Sequence, residues 1–358
     1  MRRSPAVHHL FIALLLAQPA TAQWVPQSSG TQAELRGLSV VSPAVAWASG
    51  QRGTVVRTTN GGALWTASTV PGAAALDLRS IAATSRRTAF AMSIGDSSRI
   101  FRTTDGGRTW SLRFVSTRKG SFFDAIKFWD ATHGIAVSDP VDGRFLVVTT
   151  SDGGDTWQAM SGEQMPLALP NEGAFAASGT CVSVYGRSDV WFVTGGAAIA
   201  RVFHSSNRGR SWTVADSPLR AGRASEGIFS VAFRDAKHGV IAGGDYALPA
   251  RGGRNVALSR DGGRSWTLVD SASSPSGFRS AVDYVAGTAG QKLIAVGLSG
   301  TDVSNDGGRT WSATDSIAYN AVQFSGRTGY VVGPNGRVGK AVFTPARKLR
   351  ERGERDRP

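Results

Sequence analysis

The stretch TTDGGRTW, residues 103–110, decides the fold, because the chain writes it five more times. The other copies are TTNGGALW (58–65), TSDGGDTW (150–157), SSNRGRSW (205–212), SRDGGRSW (259–266) and SNDGGRTW (304–311), all fitting [ST]-x-[DN]-x-G-x-x-W. Their tryptophans Trp65, Trp110, Trp157, Trp212, Trp266 and Trp311 recur at intervals of 45, 47, 55, 54 and 45 residues. A period of that length marks a repeat architecture in which each unit buries its apolar face against its neighbours.

The chemistry of the motif explains its residue types. Asn60, Asp105, Asp152, Asn207, Asp261 and Asp306 can each accept backbone N–H bonds across a turn, as can the leading Ser or Thr hydroxyl. The second glycine position, filled by Gly in all six copies, suits a backbone with φ > 0. The Trp opens the next strand and offers a large aromatic face to bury between sheets. These roles are structural and call for no ligand. Each unit holds three further strand-like phrases, in the first unit Leu38-Ser-Val-Val, Ala46-Trp-Ala-Ser and Gly53-Thr-Val-Val-Arg. Four short strands per repeat is the pattern of a propeller blade.

A seventh unit lacks the motif and supplies three strands, within 319–324, 329–333 and 337–343. Its fourth is expected from the other end of the chain, where Gln23-Trp-Val-Pro-Gln27 resembles the strands that open with Trp. Pairing of that strand, near Trp24, with the last blade closes the ring and hides its edges. The expectation is an all-β, seven-bladed propeller of four-stranded blades spanning 23–345.

At this point a resemblance is plain. The repeats resemble the Asp-box (BNR) repeats of sialidases, of some other glycoside hydrolases and of several non-enzymatic propellers. The first blade, LRGLSVVSPAVAWASGQRGTVVRTTNGGALW (35–65), looks most like the photosystem II stability and assembly factors, and the likeness runs over the whole mature chain. It implies a secreted or lumenal propeller acting as an assembly chaperone, without naming the client. The F/Y-R-I-P phrase typical of sialidases is absent; Arg36 stands in LRGLS instead.

The ends and the composition bound the setting. Arg2 and Arg3, the apolar run Leu10–Ala17 and Ala20-Thr21-Ala22 read as a Sec-type signal peptide over 1–22, cleaved after Ala22. The apolar run is shorter than the roughly 20 residues a membrane span needs, and no later segment is apolar enough to cross. Secretion or a periplasmic location is therefore expected. Residues 346–358, with six basic and three acidic side chains from Arg347 onward, read as a disordered basic tail. The formal charge of +14 favours acidic partners, among them an anionic membrane, an acidic glycan or an acidic protein face. Nucleic acid is not expected for an exported protein, and a monomer is. Cys181 is the only cysteine and alternates with Val182 and Val184, so it reads as a buried strand residue. No His or Cys cluster has metal-ligand spacing, and no phosphate loop stands between strand and helix, so neither metal nor cofactor is expected. His133 and His238, each before Gly in equivalent phrases, read as turn residues.

Aligning the seven units on their inner strands nominates one residue per blade at the channel mouth: Arg36, Arg79, Asp124, Glu172, Phe229, Arg279 and Asn320. The loops between second and third strands open on the same face and add Asp139, Asp142, Asp245, Tyr246 and Arg251, whereas the Asp boxes lie at the opposite end. Arginine suits planar recognition of carboxylates, so Arg36, Arg79 and Arg279 are expected to anchor an acidic peptide or protein segment, such as part of a membrane-protein assembly intermediate. Asp124 and Glu172 would give the face a second, acidic half. The alternative is a sialidase-like glycoside hydrolase or a lectin for an acidic sugar. The resemblance then implies a Tyr–Glu nucleophile and an acid Asp, with Asp124, Glu172 and Tyr246 as candidates beside Glu226 and Tyr284. Two longer loops, 162–171 with an exposed-looking Met165 and Leu167, and 245–255, read as contact segments.

Overall fold

The computed structural model describes residues 24–343. The predicted signal peptide and basic tail lie outside the described residues. Seven four-stranded antiparallel sheets form the molecule. Their inner strands touch in cyclic order, and the last returns to the first. Blade 1 comprises Leu35–Ser42, Val45–Gly50, Thr54–Thr58 and Thr66–Thr69. The inner strands of blades 2 to 7 are Ser80–Ala83, Phe123–Phe128, Val182–Tyr185, Glu226–Phe233, Ala281–Tyr284 and Ala321–Ser325.

Closure follows the expectation. Val25–Gln27 is the outer strand of blade 7, with Val25 opposite Lys340 and Gln27 opposite Val338. Trp24 is buried; its indole N–H donates to Thr301 Oγ1 of blade 6 at 3.1 Å, and its ring meets the edge of Tyr319. On the other side Gln27 accepts the indole N–H of Trp65 in blade 1 at 2.9 Å. The N-terminal strand therefore ties together both sides of the seam.

The core lies between blades. Six apolar clusters sit at the interfaces, the largest spanning blades 3 to 5. Box tryptophans close several of them: Trp65 meets Tyr330 of blade 7 edge-on, Trp110 meets Trp47 of blade 1, and Trp157 meets Phe90 of blade 2. Second strands such as Val45–Gly50 are buried throughout, whereas the outer Thr66–Thr69 is largely exposed.

All six boxes share one hydrogen-bond scheme. The leading hydroxyl donates to the Asp or Asn oxygen at 2.8–3.0 Å. It also accepts the N–H of the second glycine at 2.8–2.9 Å. That glycine has φ between +78° and +89° in every box. His133 and His238 close turns onto Asp130 and Asp235, and Cys181 is fully buried. Met165 does not take the exposed position expected for it; it is buried in the cluster of blades 3 to 5, while Leu167 is exposed.

Candidate functional site

The mouth of the channel is built by register. Asn320 N–H donates to Val332 O across the inner pair of blade 7. In blade 6 the equivalent bond, to Val296 O, is made by Ser280 and not by Arg279. Arg279 is thus one residue out of the expected alignment, and a one-residue slip sends a side chain to the opposite face. Arg279 is fully buried within its own blade. Its guanidinium pairs with Asp302, with Nε–Oδ2 at 2.6 Å, and also donates to Phe278 O, Ser299 Oγ and Ser276 Oγ. It is a pin inside blade 6 and cannot reach a ligand at the mouth.

The second correction is in blade 4. Its inner strand is Val182–Tyr185, so the mouth position falls to Thr180, whose hydroxyl donates to Ser230 Oγ of blade 5 at 2.9 Å. Glu172 lies upstream, in the connection from blade 3. Its side chain is buried and accepts bonds from Arg201 Nε (2.9 Å), Thr194 Oγ1 (2.7 Å) and Leu169 N (2.8 Å). The phrase EGAFA has the alternation of an inner strand, but it is used differently.

From Gly173 to Thr180 the chain crosses the mouth of the channel. Ala174 N donates to Asp139 of blade 3, and Ala177 O accepts from Arg36 of blade 1. Ser178 Oγ donates to Ser280 O of blade 6 at 2.8 Å, and the Phe175 ring stacks on Phe229 of blade 5 at 3.8 Å. Close backbone approach lets it enter: Gly173 bridges to Gly195 and Gly195 to Gly227, where a Cβ on Gly195 would strike Phe175 and Gly227. The protein plugs its own channel.

Above this plug lies a cleft of about 390 Å³. Its walls bring together the predicted Arg36, Arg79, Phe229, Tyr246 and Asn320 with Phe122, Phe175, Phe278 and Leu298, which sequence reasoning missed. Tyr246 and Leu298 are exposed, Phe175 is partly so, and Phe229 and Phe278 are buried beneath them. The arginines do not stand alone. Arg36 pairs with Glu34 at 2.7 Å and Arg79 with Asp77 at 2.8 Å, so each keeps only part of its fork for a ligand. Burial, with Arg79 nearby, also lowers the Arg36 pKa from its ordinary value. Asn320 is buried and donates to Leu35 O at 2.9 Å.

The acidic half of the face does not form as expected. Asp124 is fully buried, and neither carboxylate oxygen has a hydrogen-bond partner among the described residues. Burial first, and then the neighbouring Asp139, push its pKa well above the usual carboxyl range. Burial raises Asp139 itself to about 6, against the pull of Ala174 N–H. Asp245 is buried and accepts Ala247 N–H, Glu226 faces Arg251 at 3.7 Å, and Asp142 pairs at the surface with Arg118. Deeper in the channel, Lys127 and Asp283 occupy equivalent positions of inner strands, opposite Ile135 and Ile294. A polar residue in mid-strand, in DAIKF and SAVDY, was the available signal for them. Among the described residues no group of three or more His, Cys, Asp or Glu side chains is placed to hold a metal.

Comparison with known proteins agrees with this architecture. The BNR/Asp-box repeat family matches residues 101–112. No curated protein sequence matches the chain. Among solved structures, YCF48 bound to a D1 peptide superposes with a TM-score of 0.64 at 16% identity, over 92% of this chain and 100% of that one. YCF48 from Cyanidioschyzon merolae gives 0.64 at 19% identity, over 89% and 98%. A GH74 xyloglucanase from Xanthomonas campestris gives 0.59 at 14% identity, over 88% of this chain but 53% of the enzyme. At such identities the likeness is one of fold.

Proposed function

We propose that this protein is an exported, non-catalytic binding propeller that holds a segment of a client protein in the cleft above its plugged channel. The observation that carries the reading is the composition of that cleft. An aromatic floor of Phe175, Phe229 and Phe278 lies beside two half-paired arginines, Arg36 and Arg79. Such a site suits a chain that offers an apolar side chain next to a carboxylate, the first buried on the rings and the second in the arginine forks. The similar propeller YCF48 is known bound to a D1 peptide, and the first blade resembles the assembly factors; both support a peptide client. The predicted signal peptide supports action outside the cytoplasm.

The hydrolase reading keeps Tyr246 in the cleft but loses its two leading carboxyl candidates to other work. Glu172 is held by Arg201, and Asp124 is buried away from the cleft with its proton favoured. A lectin role on the same cleft would need no chemistry.

The test is co-purification of the mature protein from its own envelope fraction, followed by the variants Arg36→Gln with Arg79→Gln, and Tyr246→Ala. Loss of a defined protein partner in each, with the thermal midpoint kept within a few degrees, is the expected result. Retained capture in both variants would remove the cleft from consideration. Turnover of aryl glycosides by the unaltered protein would refute the non-catalytic assignment.

A further inference from the structure

The face opposite the mouth carries the boxes, and its charges are arranged quite differently. In all six boxes a backbone N–H donates to the turn between inner and second strands, as Gly262 does to Lys237 O and Gly307 to Gln291 O. Boxes and turns thus form one surface. Arginine fills the sixth box position in blades 2, 4, 5 and 6, as Arg108, Arg210, Arg264 and Arg309, and all four are exposed. The turns and a second box position add exposed Arg86, Arg87, Arg187, Arg234, Lys237 and Arg260.

At the mouth Arg36, Arg79, Arg118 and Arg251 each face a carboxylate, although the exposed Arg52, Lys119, Arg223 and Arg254 on that side pair with none among the described residues. On the box face Lys237, Arg260, Arg264 and Arg309 pair with none among the described residues, and Arg234 has only Asp235, at 3.4 Å. In the boxes of blades 5 and 6, Asp261 and Asp306 accept from the backbone and hydroxyls of their own loops. Asp235 in the blade 5 turn is partly exposed and faces His238 and Arg234, and the exposed Asp155 of the blade 3 box pairs with Arg102. Shallow clefts between blades 4 and 5 and between blades 5 and 6 both open on Arg260.

We infer that the box face of blades 4 to 6, centred on Lys237, Arg260, Arg264 and Arg309, docks the propeller on an anionic lipid surface. The cations recur at equivalent points of successive blades, so they lie across a disc. A planar anionic surface meets all of them at once, whereas a linear polyanion would touch only those along its track. Among the described residues, large apolar side chains exposed at this end include Leu64 on blade 1, Val342 on blade 7 and Tyr185 on blade 4. They are aliphatic groups near the closure and a single aromatic ring blades away, which do not make a paired aromatic platform for a sugar ring, but each can enter a headgroup layer. With the box face down, the mouth cleft points away from the membrane surface and stays open.

The experiment is co-sedimentation of the full mature chain with vesicles of phosphatidylcholine, with and without phosphatidylglycerol. Binding is expected only with phosphatidylglycerol, and is expected to be lost at about 1 M salt, where the screening length falls to about 3 Å. Combining Lys237→Glu, Arg260→Glu, Arg264→Glu and Arg309→Glu is expected to weaken it at least about tenfold, with an unchanged thermal transition confirming the fold. The mouth variant Arg36→Gln with Arg79→Gln is expected to bind vesicles normally, which separates this surface from the client cleft. Full binding by the box-face variant would show that other cations, those of 347–358 included, carry the affinity, and would overturn the assignment. So would retention on polygalacturonate without any vesicle binding.

Discussion

Single residues show how one type of side chain takes opposite roles. Arg79 and Arg279 each stand before Ser at the start of an inner-strand phrase, RSIAA and RSAVD, yet one lines a cleft and the other is sealed inside a sheet. The pair of Glu172 and Arg201 is the clearest case of a charged group that looks functional and is structural. It anchors the base of the plug, because Arg201 also donates to Leu167 O while Glu172 accepts from Leu169 N and Thr194 Oγ1. Removing one partner leaves a buried charge, which costs about 3–5 kcal/mol. Arg201→Leu is therefore expected to lower stability by that order in urea unfolding. Combining it with Glu172→Gln should recover part of the loss, since no uncompensated carboxylate then remains. An additive double variant would contradict the pairing.

At the scale of elements, two segments outside the repeat decide the molecule's behaviour. The first is the closing strand Val25–Gln27, with Trp24 seated between blades 6 and 7. Truncating a large buried aromatic typically costs about 3–5 kcal/mol. Trp24→Ala is expected to show a loss of that order, with earlier hydrogen exchange in blade 7 than in blades 3 to 5. Uniform exchange around the ring would show that closure is not the weak point. The second segment is the plug, Gly173–Thr180. It was legible as an extended phrase, but the pleat alone does not say whether an extended phrase joins a sheet or crosses a channel. The glycines at 173, 195 and 227 allow the crossing, and they come from three separate stretches of sequence.

Over the whole molecule, acid–base behaviour reflects two opposed sets of carboxyls. Asp139 and Asp283 are raised by burial to about 6, and Asp124 is raised too, by burial and then by the neighbouring Asp139. The folded state holds those protons more tightly than the unfolded chain, so their contribution to stability is greatest below the ordinary carboxyl range and falls as pH rises through about 6. The box aspartates act in the other direction. Hydrogen bonds from Thr109 hold Asp105 below the ordinary range, and at Asp261 those from Ser265 outweigh the upward effect of burial and hold it at about 2. Their stabilisation is present above the ordinary range and is lost as pH falls through the lowered value. The thermal midpoint is thus expected to climb as pH drops from about 8 to about 5, then to fall below about 4. In Asp124→Asn the gain relative to the unaltered protein should grow from about pH 5 to about pH 8, because only the ionised form is disfavoured. A difference that does not vary with pH would mean that Asp124 does not carry the effect.

What the sequence by itself determined was everything with a period. The boxes, the strand count, the fourth strand borrowed from Trp24 and the separation of boxes from mouth follow from local patterns that recur from blade to blade, because each blade is a local structure that packs mainly on its neighbours. What only the tertiary structure decided was where that period is broken. The slip at Arg279, the crossing at Glu172–Thr180 and the orphaned carboxyl of Asp124 depend on contacts between residues far apart in the chain. The phrase RSAVD can be aligned in two registers with equal local sense. Only pairing with the neighbouring strand selects one, and with it the direction in which every side chain points.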